Sequence, residues 1–295
     1  MRKKTLGLIM VLFAGFVFGL MPLLKRGCVE GGANNALLLM SRFFFLSLAV
    51  LPLAIKDGGL LRALRENWKP FALLSIVEGA TPILLYNAYD HLASGLVMTI
   101  HFLYPMIVTA CCVLLFRDRL SPFKLVCLIL SVVGVFLTVD LSVEGITALG
   151  VTLSLLSAVT YAIYIVGLGK AKLTHITNTQ VAFFIGVGCF LVALVYSFFV
   201  GTPAILPQVT TQGWLWLIGS GIFIAVGGSL CFILGVRIVD SQVAAIASTL
   251  EPLTSIVVGV LWMNEVINRR IAIGCVLILV AVVLLPIITA KEEKE

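Results

Sequence analysis

Four ionisable side chains lie inside long apolar runs of the sequence: Arg42, Glu78, His101 and Glu251. If these runs cross a bilayer, a charge there is costly, so each residue marks either a ligand pathway or a paired structural role. The two glutamates lie too deep for their short side chains to reach water, and a carboxyl shielded from water can take up a proton. We expect all four residues to bind substrate, and Glu78 and Glu251 are also candidates for proton coupling.

Two of these residues have an ordinary structural alternative. Arg42 lies about one third of the way into its run from the outer side, where a long side chain can snorkel to the interface or pair with an acid. His101 can hold a neutral imidazole that bonds a neighbouring carbonyl. The sequence leaves both alternatives open beside substrate contact.

Prolines follow several polar positions in these runs by four residues. The pairs are Phe18 and Pro22, Glu78 and Pro82, His101 and Pro105, and Ser248 and Pro252. A proline inside a helix leaves the carbonyl four residues earlier without its N–H donor. Broken helices of this kind are tolerated where they line protein or a water-filled cavity, and the alternative is a plain kink. We expect all four prolines to break their helices and to mark gating positions.

Tyrosines accompany the ionisable residues at helical spacing. Tyr104 follows His101 by three residues, and Tyr161 and Tyr164 have the same spacing in a later run. Such side chains can stack on a ligand or form hydrogen bonds with it, and packing in the core is the alternative. We include all three tyrosines among the candidate substrate-binding residues.

The composition indicates that most of the chain lies in a lipid bilayer and not in water. Hydrophobic residues make up 61% of the 295 residues and charged residues only 12%, with a mean hydropathy of +1.16. Apolar runs of about twenty residues recur from end to end, the length that crosses a bilayer as a helix. These features predict a polytopic all-α membrane protein.

Neither the excess of basic over acidic residues nor the cysteines indicate a further ligand. The net charge of +6 comes from short clusters between the apolar runs, so it predicts topology and no nucleic-acid partner. The seven cysteines form no CxxC pair or metal-ligand spacing. We expect no disulfide, no metal and no other cofactor.

Hydropathy and the interruptions between runs predict ten transmembrane helices. Their ranges are 6–24, 34–55, 70–89, 94–116, 122–139, 146–168, 178–200, 212–235, 241–262 and 270–289. With a cytoplasmic N-terminus, fifteen basic residues fall on the inside and four, Lys25, Arg26, Arg269 and Arg270, on the outside. The positive-inside rule therefore predicts that both termini are cytoplasmic, and we expect a bacterial inner-membrane location.

The second half of the sequence repeats the first. Laying Ser94 on Ser241 also aligns Pro105 with Pro252 without a gap. This register predicts one five-helix repeat over 1–140, a second over 146–290, and a cytoplasmic tail over 291–295. Because five is odd, the second repeat enters the membrane from the opposite side, which is the inverted symmetry used in alternating access.

Several short segments recur in a characteristic order along the chain: Phe18-Gly19, Ser41-Arg42-Phe43, Tyr86 to Ala93, Tyr104-Pro105, Asp118-Arg119-Leu120-Ser121, Gly134-Val135, Tyr161 to Tyr164, Leu250-Glu251-Pro252 and Asn264-Glu265-Val266. In their order and spacing they resemble the EamA-type ten-helix branch of the drug/metabolite transporter superfamily. The resemblance implies two inverted five-helix repeats around a central cavity. It also implies alternating access and the export or exchange of amino acids, other metabolites or drugs.

The leading functional hypothesis is a secondary transporter of a small polar metabolite, such as an amino acid. An arginine and two carboxyls in one cavity would suit a zwitterion, whereas the carboxyls and tyrosines alone would suit an organic cation or drug. A channel would need a continuous polar lining, whereas the polar residues cluster near the middle of the membrane. The sequence also contains no catalytic motif typical of an enzyme and no output domain typical of a sensor. The expected partners are the substrate, the bilayer and a coupling proton, with the protein as a monomer.

The repeat register reveals an asymmetry between the halves. Glu78 aligns with Ala225, and the overlay of the first and sixth spans puts Arg42 opposite Ile185. A charge confined to one half is explained better by an asymmetric ligand than by a scaffold that both halves share. We therefore expect Glu78→Ala to weaken binding and leave folding nearly intact, unless Arg42 pairs with Glu78 and would be stranded.

Overall fold

The computed structural model describes residues 2–92, 94–118, 120–138, 147–263 and 269–292, and all regular structure in these ranges is helical. The helices are α1 (Arg2–Gly19), α2 (Met21–Glu30), α3 (Asn35–Lys56), α4 (Leu60–Ala88), α5 (Ser94–His101), α6 (Tyr104–Phe116), α7 (Pro122–Thr138), α8 (Ala148–Lys170), α9 (Asn178–Phe199), α10 (Thr202–Ile205), α11 (Thr211–Phe223), α12 (Cys231–Val236), α13 (Ser241–Ala247), α14 (Leu250–Met263) and α15 (Arg269–Glu292). A 3₁₀ turn (Leu206–Gln208) follows α10, and a π-helix (Ile224–Leu230) joins α11 to α12.

Eight helical stretches within the described residues are long and apolar enough to cross a membrane. They are Lys3–Glu30, Asn35–Lys56, Leu60–Ala88, Leu96–Phe116, Ala148–Lys170, Asn178–Phe199, Thr211–Val236 and Ser241–Trp262. The apolar helix α7 is shorter, with 17 residues, and α15 has 24. The prediction of an all-helical membrane protein is confirmed, while ten spans in two inverted repeats remain a prediction.

Some sequence predictions lie outside the described residues. They concern Arg119, the segment Asn264-Glu265-Val266, the repeat boundaries at 140 and 146, and positions 293–295 of the predicted tail.

Three predicted spans are interrupted next to a proline. The helices α2, α6 and α14 begin one or two residues before Pro22, Pro105 and Pro252 respectively. A proline fits the first turn of a helix because the N–H it lacks would have no partner there. The carbonyl of Ser248, which Pro252 leaves without its helical donor, accepts a hydrogen bond of 3.0 Å from the backbone N–H of Glu251.

The prediction of a break at Pro82 is wrong, because α4 continues through this residue to Ala88. One proline removes one backbone hydrogen bond, and the adjoining turn is held by side chains. The Thr81 hydroxyl lies 2.7 Å from the carbonyl oxygen of Val77 and 2.8 Å from the hydroxyl of Thr160 on α8. The non-helical backbone of α4 is instead at Asn67.

Helices that the predicted repeat aligns have similar neighbours. The helix α1 packs on α13 and α14, and its counterpart α8 packs on α5 and α6. Similarly, α1 contacts α12 and the π-helix, as α8 contacts α4, while α3 pairs with α9 and α7 with α15. A central core therefore forms where α1, α3, α4, α8, α9 and the π-helix meet.

A glycine allows α1 to approach α14 closely. A Cβ atom at Gly19 would overlap the Cβ of Thr254 and lie 2.6 Å from the carbonyl oxygen of Glu251. The same atom at Gly15, one turn earlier, would meet its nearest neighbour at 3.5 Å, an ordinary contact. The Gly15–Gly19 spacing therefore serves packing inside the bundle, and Gly19 is the position where only glycine fits.

We predict that Gly19→Ala lowers stability by about 1–3 kcal/mol, because the added methyl must push α1 away from α14. Gly219 in α11 is the matched control, since a Cβ there meets nothing within 4 Å. Thermal unfolding in detergent compares the two variants. Equal melting temperatures for Gly19→Ala and Gly219→Ala would contradict this packing.

Polar contacts join the loops at each end of the bundle. At one end, the Asp57 carboxylate accepts hydrogen bonds from the Thr177 and Thr179 hydroxyls, which lower the pKa of this carboxyl, and Lys170 pairs with Asp118 at 2.5 Å. All of these residues fall on the side that the charge bias assigns to the cytoplasm. The opposite end has its own contacts, Asn34 to Thr202 at 2.9 Å and Thr147 to the His91 carbonyl at 2.9 Å.

Reporter fusions test which end is cytoplasmic. A reporter that works only in the cytoplasm should be active when it is fused at Gly58, where an added Cβ would meet no atom within 4 Å, or in the loop 171–177. A reporter that works only outside should be active when it is fused at Gly201, which lies at the opposite end and is equally unobstructed. Activity of all three on one side would overturn the assignment of the two ends.

Candidate functional site

A small cavity lies at the centre of the bundle, between α1, α3, α4, α8, α9, α12 and the π-helix. Its lining includes four of the predicted site residues, namely Arg42, Glu78, Tyr161 and Tyr164. Its volume is about 10 Å³, which is room for one water-sized molecule. In this structure the cavity therefore has no room for a metabolite.

Arg42 forms the polar centre of this cavity. Its Nη2 lies 3.2 Å from Oε1 of Glu78, and its Nε donates a hydrogen bond of 2.8 Å to Oγ of Ser229. The guanidinium carbon also lies 4.9 Å from the ring centroids of Phe18 and Phe43. The structural alternative of an ion pair is thus present, and the contacts hold the cation away from water on several sides.

Glu78 is only half satisfied by this pair. The residue is 5% exposed, and its second oxygen, Oε2, has no hydrogen-bond partner among the described residues. A buried acceptor without a donor costs free energy, and the cost is larger for a charged group. An N–H group of a ligand in the cavity would remove this cost.

The sequence reasoning missed Ser229, which holds Arg42 from the second half of the chain. It lies in the π-helix, an irregular turn of a kind that is frequent at functional sites. The register that aligns Ser94 with Ser241 also aligns Pro82 with Ser229. The proline of the first half therefore marks the aligned position at which the second half has its π-helix, and this alignment was the signal available in the sequence.

Aromatic rings form the opposite wall of the cavity. The ring of Tyr161 stacks on Phe232 at 5.9 Å and on Tyr164 at 6.2 Å, measured between ring centroids. His101 and Tyr104 do not line the cavity but contact the other side of Tyr161, at 5.6 and 4.7 Å. These two predicted residues therefore support the aromatic wall from behind.

The hydrogen bond of His101 identifies its tautomer. Its Nδ1 lies 3.0 Å from Oγ of Ser157, whose hydroxyl donates its proton to the carbonyl of Ser154 at 2.6 Å. Since Ser157 has no second proton to donate, Nδ1 of His101 must be the donor. This bond ties α5 to α8, which favours the structural alternative for His101.

Glu251 lies beside the cavity and is not part of its lining. It is half-buried in the first turn of α14, close enough to Arg42 for the two charges to interact. The centre of the bundle thus contains one arginine and two carboxyl groups. If all three are ionised, one negative charge is left to be balanced by a proton or by a cationic group of a ligand.

We predict that Glu78→Ala lowers stability by about 3–5 kcal/mol, because it strands the buried guanidinium of Arg42. The structure thus meets the condition that reverses the expectation of nearly intact folding for this variant. The double variant Arg42→Met/Glu78→Met removes both charges and should recover most of the loss, as measured by thermal unfolding in detergent. A single variant as stable as the native protein would contradict the ion pair.

Comparisons with known proteins give one consistent result. A protein-family model described as the EamA-like transporter family matches residues 5–140 and 148–286. A protein from Archaeoglobus fulgidus named as an uncharacterized transporter is 25% identical over 257 residues, which cover 86% of this chain and 87% of that protein. An uncharacterized transporter from Clostridium kluyveri is 22% identical over 304 residues, covering 93% and 91% of the two chains.

A solved structure shares the fold. Its TM-score is 0.75 at 16% identity, with 98% of this chain and 99% of the other chain covered.

Proposed function

We propose, from the premise that the chain belongs to the EamA-like transporter family, that it carries a small polar metabolite across the membrane by alternating access. An amino acid or similar zwitterion is the proposed substrate, and export or exchange the proposed direction. The observation that carries the proposal is the buried Arg42–Glu78 pair, which lines the small central cavity and whose second carboxylate oxygen has no hydrogen-bond partner among the described residues. We place the protein in a bacterial inner membrane, with both termini cytoplasmic.

The charges of the cavity suit the two ends of a zwitterion. A planar guanidinium binds carboxylate through parallel hydrogen bonds, so Arg42 can hold the carboxylate of an amino acid. The free oxygen of Glu78 can accept a hydrogen bond from the ammonium group. A substrate that bridges both residues would replace their single bond of 3.2 Å with several charge-assisted bonds.

The size of the cavity supports alternating access. Ligand pockets commonly have volumes of about 300–1,000 Å³, so the space of about 10 Å³ must open to admit a substrate. The two family-model matches and the equivalent packing of α1 and α8 support two related halves that can move against each other. The interrupted helices beside Pro105 and Pro252 are the proposed positions of bending.

An organic cation is the second candidate substrate. In this structure Arg42 is engaged by Glu78 and Ser229, while the side chain of Glu251 has no such ion pair among the described residues. Tyrosine rings close to Glu251 could then stack on the cation. This candidate predicts that substrates without a carboxylate are carried as well as amino acids are.

Counterflow in proteoliposomes tests the transport proposal. Vesicles loaded with an unlabelled amino acid should accumulate the labelled form transiently, which a channel cannot do because it only equilibrates the two sides. Arg42→Lys keeps the charge but loses the planar fork, so we expect accumulation to fall at least about tenfold. Arg26→Lys is the matched control, since Arg26 is exposed and pairs with Glu30 on its own helix.

The contrary result would be equal counterflow in the Arg42→Lys and Arg26→Lys proteins, because it would separate transport from the central pair. Faster counterflow with amines that lack a carboxylate would favour the second candidate.

Proton coupling is tested at Glu251. If this carboxyl carries the coupling proton, Glu251→Gln should abolish the response of transport to a pH gradient and leave exchange measurable. Glu30→Gln, at an exposed carboxyl, is the control and should respond as the native protein does. A full gradient response in Glu251→Gln would remove Glu251 from the coupling role.

A further inference from the structure

The ammonium group of Lys25 lies against two tyrosine rings. Its Nζ is 4.6 Å from the ring centroid of Tyr86 and 5.6 Å from that of Tyr89. The two rings are 6.4 Å apart and inclined by only 26°, and Tyr86 is 9% exposed. A cation within about 6 Å of an aromatic face is attracted by the negative centre of the ring.

A basic side chain on α2 does not have to lie against aromatic rings, as the neighbouring residue shows. Arg26 points to solvent, with 55% of its side chain exposed, and pairs with Glu30 one turn later at 2.7 Å. Lys25 is half-buried and forms no ion pair of this kind within the described residues, although Asp90 interacts with it electrostatically. Its charge is therefore held mainly by the aromatic faces.

The two tyrosines connect this position with the central site. Tyr86 lies on α4 about two turns after Glu78, and Tyr89 directly follows the last residue of this helix. Lys25 lies on α2, which follows the break after α1, and Phe18 near the end of α1 contacts Arg42. The same two stretches of chain thus carry both the lysine with its tyrosines and side chains that line the cavity.

We propose that Tyr86, Tyr89 and Asp90 form an outer subsite for the ammonium group of a primary or quaternary amine, which Lys25 occupies in this structure. A ligand's ammonium group would displace the tethered ammonium of Lys25 and then reach the central pair. The inference rests on the proposed function in one respect: the ligand is of the same amine-bearing class as the transported substrate.

Binding of choline to the purified protein tests the subsite, with 3,3-dimethylbutan-1-ol as the uncharged probe of the same shape. Lys25→Ala removes the internal competitor, so the Kd for choline should fall by about tenfold relative to the native protein. Arg26→Ala removes the same charge one residue away and should leave the Kd unchanged. The uncharged probe should bind all three proteins alike.

A second pair of variants keeps the test decisive if Lys25→Ala does not fold. Tyr86→Phe retains the aromatic face and should bind choline as the native protein does, whereas Tyr86→Leu should raise the Kd by about tenfold. The proposal is overturned if Lys25→Ala and Arg26→Ala have the same choline Kd, if the uncharged probe gains equally from Lys25→Ala, or if Tyr86→Leu binds like Tyr86→Phe.

Failure of this proposal differs from failure of the transport proposal. If Lys25→Ala changes the Kd for choline but no amine or amino acid shows counterflow, the subsite is supported and transport is contradicted. If counterflow depends on Arg42 but Lys25→Ala leaves the Kd for choline unchanged, the subsite alone is contradicted.

Discussion

A buried ion pair between Arg42 and Glu78 is the constraint on which the centre of this protein depends. Removing the two charges from water costs free energy, and their attraction offsets this cost only with good geometry and further hydrogen bonds. Ser229 supplies one such bond to the guanidinium, and the rings of Phe18 and Phe43 cover it. The pair is left incomplete on the carboxylate side, because Oε2 of Glu78 has no hydrogen-bond partner among the described residues.

The predicted repeat register places unlike side chains around the cavity. Arg42 and Ile185, which the overlay of the first and sixth spans aligns, both line it, so aligned positions contribute a charge and an aliphatic side chain to the same space. Ala225, which aligns with Glu78, is fully buried in the π-helix that also contains Ser229. The ion pair therefore has no charged counterpart at the aligned positions of the second half.

The sequence predicted those parts of the fold that depend on local rules. Apolar runs predicted membrane helices, and prolines predicted three interruptions, because both effects act within a few residues. Pro82 was misjudged because the bonds that keep α4 continuous include one to Thr160, far away in the chain. Which end of the bundle is cytoplasmic remains a prediction from the distribution of basic residues.

The sequence identified some of the residues that line the cavity, but not their geometry. Charges inside apolar runs identified Arg42 and Glu78, since few structural roles tolerate them in hydrocarbon. Their distance, the support from Ser229 and the position of Glu251 beside the cavity depend on how distant helices pack, which no local pattern encodes. The roles of His101 and Tyr104 behind Tyr161 were ambiguous in the sequence for the same reason.

Exchanging the two charges separates a structural pair from a substrate site most directly. The variant Arg42→Glu/Glu78→Arg keeps one cation and one carboxylate in the cavity but reverses their positions relative to Ser229 and the aromatic wall. Its melting temperature and its amino acid counterflow are measured on the same preparation. We predict a melting temperature close to that of the native protein and counterflow near background. Native counterflow in the exchanged protein would contradict the account, because the pair would then serve the fold alone.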